Sequence, residues 1–170
     1  MKEKINITDY TNHITAGLSK GILLNTQADK FNTMVIGWGH IGRLWNKPTF
    51  VVYVRQSRFT KEQIEKNRAF TISCFLEKPD SEIFRICGTQ SGRDIDKVKE
   101  AGLTLEEAEM NGVPGIKEYP LTIECKVLYS QDQVLEKIPK DSLDRFYSGE
   151  ERSDFHTMYV GEIVDSYIIR

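Results

Sequence analysis

Little in this sequence settles its class outright, and each shortage narrows the choice. Its three cysteines, Cys74, Cys87 and Cys125, never form a C-x-x-C pair, so neither a disulfide framework nor a thiolate metal site is expected. His13, His40 and His156 are as scattered, and no metal is expected. No run reaches 18 apolar residues, and MKEKINITDY lacks the apolar stretch of a secretory leader, so no membrane partner is expected. A cytoplasmic protein with reduced thiols is the reading. Charge of one sign is not in excess either: 25 Asp plus Glu stand against 23 Lys plus Arg, net −2. A nucleic-acid partner is therefore not expected, and any anion site must be local. There is no G-x-S-x-G, H-E-x-x-H or Walker loop, so no side-chain nucleophile, metal or P-loop chemistry is legible.

What is present is an ordinary core in a single domain spanning residues 1–170. Hydrophobic residues make up 39% of the 170, and a chain this long buries roughly 70% of its unfolded surface. Gly21–Gln27 and Phe31–Gly37 read as strands around a turn at Ala28-Asp29-Lys30. GWGHIGRLWNKP then reads as a shaped loop, with three glycines, two tryptophans and a proline. TFVVYV, 49–54, is a buried strand. Thr60 and Gln63 match a capping box opening a short helix that ends near Asn67. Ala69–Leu76 is a further strand, Ser81–Ile86 a helical turn, and Asp94–Ala101 a second helix stopped by Gly102. Leu103–Met110 reads as a strand and Asn111-Gly112 as a turn. From Leu121 to Tyr129 the alternation is that of a half-exposed strand. Residues 131–154 are polar and aperiodic, a lid or insertion, before a final strand at His156–Ile169. Strands outnumber helices and do not alternate with them, which favours a mainly β, antiparallel barrel with a few peripheral helices over a parallel sheet.

Three stretches carry chemistry. In YVRQSRFTKEQIEKN, Arg55 and Ser57 leave a strand on one face, and Arg58 stands with them at a helix N-terminus capped by Thr60. Two guanidinia, two hydroxyls and free backbone donors suit a phosphate monoester, although a capped surface helix would look the same. In GTQSGRDIDK, Ser91 opens a second capping signature, Gly92 lets backbone approach a ligand, and Lys97 lies one turn on; a polar capped loop is the alternative. In NTMVIGWG, Asn32, Thr33 and Met34 lead into Gly37 and Trp38, able to read the edge and cover the face of a planar heterocycle; a bulged, packed strand is the alternative. Together they describe a phosphorylated flat heteroaromatic.

NTMVIGWGHIGRLWNKPTFVVYVRQSRFTKEQIEKN, followed by FTISC and GTQSGRDIDK, resembles the flavin reductase-like family of FMN-binding split-barrel proteins, which includes the flavoredoxins. The likeness runs from about Gly17 to Gly115 and returns at HTMYVGEIV. It implies a Greek-key split barrel, a homodimer, and FMN near the subunit interface. Carried onto this sequence, Asn32, Thr33 and Met34 lie by the flavin ring with Trp38 close by. Arg55, Ser57, Arg58 and Thr60 hold the phosphate, and Ser91, Gly92 and Lys97 line the cofactor. Residues 131–154 match no motif. Flavin carries its own hydride and electron chemistry, which accounts for the missing catalytic signatures.

The function expected is an NAD(P)H-dependent oxidoreductase that takes hydride from NADH or NADPH onto FMN and passes electrons to a small-molecule acceptor. The alternatives are an FMN electron carrier and, more remotely, a barrel binding single-stranded nucleic acid through Arg55, Arg58, Phe59 and Trp38. His156 is either a structural histidine on the last strand or a group on the substrate side of the flavin.

Overall fold

A computed structural model describes the backbone of residues 1–170 and the side chains of all but Glu151 and Arg152. Its strands are β1 (Lys2–Lys4), β2 (Ile22–Gln27), β3 (Phe31–Ile36), β4 (Gly39–Leu44), β5 (Lys47–Arg55), β6 (Ala69–Cys74), β7 (Leu105–Glu106), β8 (Gly115–Ile116), β9 (Leu121–Asp132) and β10 (His156–Ile169). Its α-helices are α1 (Thr11–Leu18), α2 (Phe59–Asn67), α3 (Ser81–Thr89), α4 (Lys97–Glu100) and α5 (Lys140–Phe146). Eight strands form one antiparallel sheet in the order β3-β2-β6-β9-β10-β5-β4, with β1 added to β10. β7 and β8 pair apart from it.

That order makes the sheet curl. β3 and β4 stand at opposite ends of the hydrogen-bonded path, yet only Gly37 and Trp38 separate them in the chain. Three Cα steps span at most about 11 Å, so the two edges must lie side by side without a hydrogen-bonded ladder joining them. The result is a barrel with an open seam. Phe50, Val52, Val54, Leu23, Ile72, Ile123 and Tyr159 fill its core, each fully buried. A buried polar chain crosses three strands: Thr33 Oγ1 donates to Asn25 Oδ1 at 2.8 Å and Asn25 Nδ2 to Ser73 Oγ at 2.8 Å. At Gly161 the β9–β10 register shifts, and a Cβ there would meet Phe70 Cζ at 2.6 Å. Strand bulge and close packing thus require the same glycine.

Several sequence expectations are corrected. The expected loop at 37–48 is largely a hairpin, because Trp45 and Asn46 both take positive φ, 49° and 62°, and turn β4 into β5 with two residues. Thr60 does not cap α2. Arg58 holds the extended N-cap position, while Thr60 lies inside the helix, buried, accepting a 2.9 Å bond from Asn32 Nδ2. The turn expected at 81–86 grows into α3 because the Asp80 carboxylate caps Glu82 N and Ile83 N. The helix expected at 94–101 shrinks to α4, since Asp96 caps it and the N–H groups of Asp94 and Ile95 turn back to Ser91 O. The strand expected at 103–110 shrinks to β7.

The first half of β9 is not half-exposed. Residues 121–125 are all buried, because the 103–116 segment covers their outer face. Glu124 anchors that cover: its carboxylate accepts from the N–H groups of Glu109, Met110 and Asn111 at 2.7–2.9 Å and from Tyr167 Oη at 2.9 Å. Among the described residues no helix is long and apolar enough to cross a membrane.

Candidate functional site

The seam between β3 and the β5–α2 corner opens into two adjoining cavities, about 150 and 210 Å³, that share Met34, Val35 and Arg58. The first lies among β3, the α2 N-terminus and the loop following α3. Of the residues singled out from sequence, Asn32, Met34, Ser57, Arg58, Thr60, Ser91, Gly92 and Lys97 line it together. Trp38 and Arg55 line the second, with Tyr53, Phe146 and His156. Thr33 lines neither. Its side chain is spent in the buried polar chain, and only its carbonyl reaches the site, through Lys97.

Charge in the first cavity is one-sided. Arg58, Arg93 and Lys97 line it, and among the described residues no lining side chain carries a carboxylate. Lys97 is buried, with Nζ donating to Thr33 O at 2.9 Å and Cys87 O at 3.0 Å. Two of its three protons are thereby used. Burial, aided by the nearby Arg58 charge, pulls its pKa down to about 8, against a partial opposing effect of Cys87. Arg93 donates to Ser57 O at 2.9 Å, pairs with Glu62 and lies over the Phe59 ring at 5.5 Å. Gly92 presses on Asn32: a Cβ at position 92 would fall 2.0 Å from Asn32 Oδ1. That oxygen is buried and has no partner among the described residues.

The Ser57 donors are not free. Asp154, from the 131–154 excursion, accepts from Ser57 N and Ser57 Oγ, each at 2.7 Å. Arg55 also turns to the excursion, away from the convergence on a phosphate read from its spacing. Its guanidinium donates to Asp154 O and Phe146 O at 3.0 Å each and lies over the Tyr147 ring at 5.4 Å. Chain that reads as aperiodic in sequence is therefore clamped to the mouth of the site.

In the second cavity the Trp38 ring lies 4.9 Å from that of His156 and 5.1 Å, edge-on, from Phe146. His156 faces Arg55 across the β5–β10 ladder. Burial, then the Arg55 charge, lowers its pKa to about 4, so it is neutral at neutral pH. Its Nδ1 lies 2.7 Å from Tyr147 Oη, which in turn lies 2.8 Å from Gln133 Oε1.

Sequence reasoning named Phe59 only for the nucleic-acid alternative, and it missed Gln90 and Arg93 on the first cavity and Tyr53, Phe146, Tyr147, Gln133 and Asp154 around the second. Arg93 stood inside the SGRD signature and was legible as a cation there. The excursion residues carried no signal, because only the folded clamp of Arg55 brings them to the seam. Among the described residues no cluster of His, Cys, Asp and Glu is placed to hold a metal ion.

Comparison with known proteins bears on the family and the fold. Residues 17–170 match the family model described as a flavin reductase like domain. An uncharacterized protein of Pyrococcus abyssi is 32% identical over 115 residues, covering 65% of this chain and 62% of that protein. The chain thus spans less than two thirds of that relative's length. Flavoredoxin from Methanosarcina acetivorans shares 26% identity with a TM-score of 0.65, over 89% of this chain and 69% of that one. An FMN-binding domain of a flavin reductases-like enzyme from Shewanella baltica, at 16% identity and TM-score 0.68 over 99% of this chain and 77% of that one, shows the same fold.

Proposed function

Because the chain belongs to the flavin reductase-like family, we propose that it binds FMN in the paired cavities and passes electrons from NADH or NADPH to a small-molecule acceptor. One observation carries the reading: among the described residues, three cations and no carboxylate line the first cavity. The remaining fittings agree with it. Asn32 Oδ1 is a buried acceptor with no partner among the described residues, at a wall where only glycine fits at position 92. Arg58 and the α2 N-terminus offer a charge and backbone donors to a phosphate. Met34, Val35 and Trp38 supply apolar surface for a flat ring system.

Bound FMN supplies hydride and single-electron chemistry. Residues of this chain bind and tune it. Arg58 and Arg93 hold the phosphate end. Lys97, held by two carbonyls, keeps one N–H for the cofactor and places a positive charge where reduction would add a negative one. Phe146 and Trp38 give the second cavity an aromatic wall, against which the electron donor would lie beside the ring. A homodimer is part of the proposal, and sedimentation of the purified chain tests it.

Protein purified without added flavin is expected to be yellow and to release FMN on denaturation. Arg58→Ala should cost about 2–3 kcal/mol of FMN affinity, as for a lost charge-assisted contact. Riboflavin, which lacks the phosphate, should bind the variant as it binds the parent. Equal losses for both ligands would overturn the assignment of Arg58 to the phosphate. Likeness to a flavoredoxin favours a second reading, an FMN electron carrier with little pyridine-nucleotide turnover. Anaerobic mixing with NADH and then NADPH separates the two: rapid bleaching marks the reductase, and its absence the carrier.

A further inference from the structure

The 131–154 excursion does more than cover the seam. Gln133 Oε1 receives the backbone N–H of His156 at 3.2 Å. A backbone N–H only donates, so the amide atom facing it must be the carbonyl oxygen. That oxygen only accepts, so at 2.8 Å the Tyr147 hydroxyl must give its one proton to it. Tyr147 Oη then has only lone pairs for His156 Nδ1, 2.7 Å away, and Nδ1 must carry the ring proton. In a neutral imidazole the other nitrogen is a bare acceptor. His156 Nε2 has no partner among the described residues, and the ring lines the second cavity beside Trp38.

We propose that Gln133 and Tyr147 are positioning residues that fix His156 with Nε2 as an acceptor, so that the second cavity selects a planar ligand bearing a hydrogen-bond donor, such as a primary amide or hydroxyl. The proposal rests on the flavin reading for what such a ligand does there, since it would lie against the cavity shared by Met34, Val35 and Arg58. The chemistry follows from the chain of contacts. A ligand group offering only lone pairs would face Nε2 lone pair to lone pair, and the hydrogen bond would be lost. Burial and the Arg55 charge keep the imidazole neutral over the working range, so the selection is not relieved by protonation. The groups around the ring are Arg55 and Arg58 from the β5–α2 corner, Asp154 and Tyr147 from the excursion, and Trp38 from the seam.

Nitrogen NMR of ring-labelled, FMN-loaded protein reads the tautomer directly. Nε2 should give the unprotonated signal in the parent, and the Nε2–H form should grow in Tyr147→Phe. In Gln133→Leu the tyrosine hydroxyl is free to donate to Nδ1, so the Nε2–H form should dominate; this variant serves if Tyr147→Phe fails to fold. Benzamide and methyl benzoate, alike in shape but with and without N–H donors, are the probes, followed by the Trp38 indole signal. Benzamide should bind the parent about tenfold more tightly, the worth of one hydrogen bond. The preference should vanish in both variants while FMN affinity holds. A protonated Nε2 in the parent, a tautomer unmoved by both substitutions, equal binding of the probes, or no binding of either overturns the inference. A protein with the stated tautomer and preference that never retains FMN sinks the flavin reading alone.

Discussion

Lys97 is the residue whose environment departs furthest from its usual state while facing the first cavity. Its folded pKa of about 8 lies below the ordinary 10.5. Between those values the unfolded chain binds more protons, so this group makes the flavin-free protein more stable as pH rises from about 8 to 10.5. An anionic ligand reverses the burden by favouring the ammonium. FMN affinity should therefore fall as pH rises through 8, and binding near that pH should take up a proton. Calorimetry in two buffers of different ionisation enthalpy measures the uptake, and Lys97→Met should abolish it. The same variant should make the flavin potential more negative; an unchanged potential would remove Lys97 from the reduced ring. Gly92 offers a steric test. Gly92→Ala puts a carbon on Asn32 Oδ1 and should cost roughly 1–3 kcal/mol of FMN affinity, in the range of overpacked sites, seen by fluorescence titration.

At the scale of elements, the excursion decides how the site is presented. Asp154 holds both Ser57 donors with a negative charge, beside cations that suit a phosphate. Asp154→Ala should release those donors and remove the like charge, tightening FMN several-fold without changing riboflavin affinity; weaker FMN binding would show that Asp154 instead preorganises the corner. These elements also mark where sequence stops informing. β2, β3, β5 and β10 were legible because β-branched and aromatic residues run together and turn residues bound them. Arg58, Ser91 and Lys97 were legible through helix-start chemistry, even though Thr60 proved to be inside its helix and Asp96 the true cap of α4. β4 was not, because its turn uses Trp45 and Asn46 at positive φ, where Asn-Gly or Asp-Gly would have announced it. Tyr147, Gln133 and Asp154 were not, because their roles exist only through contacts with residues 9 to 97 positions away.

Across the whole molecule, stability and openness are separated. The closed side of the barrel is tied by Glu124, a fully buried carboxylate with three backbone donors and one hydroxyl. Glu124→Gln would set an amide against one of those donors and should cost roughly 2–4 kcal/mol of unfolding free energy, measured by denaturant titration, with no change in the FMN released per folded molecule. The other side carries no ladder. Its two margins are held by the shortness of the Gly37–Trp38 connection, so slot width is set by contour length. One glycine spliced between these two residues should slacken that clasp, leaving the melting profile nearly intact while the nucleotide escapes faster. A gauge of gap width thus resides in two residues that make no sheet hydrogen bond of their own.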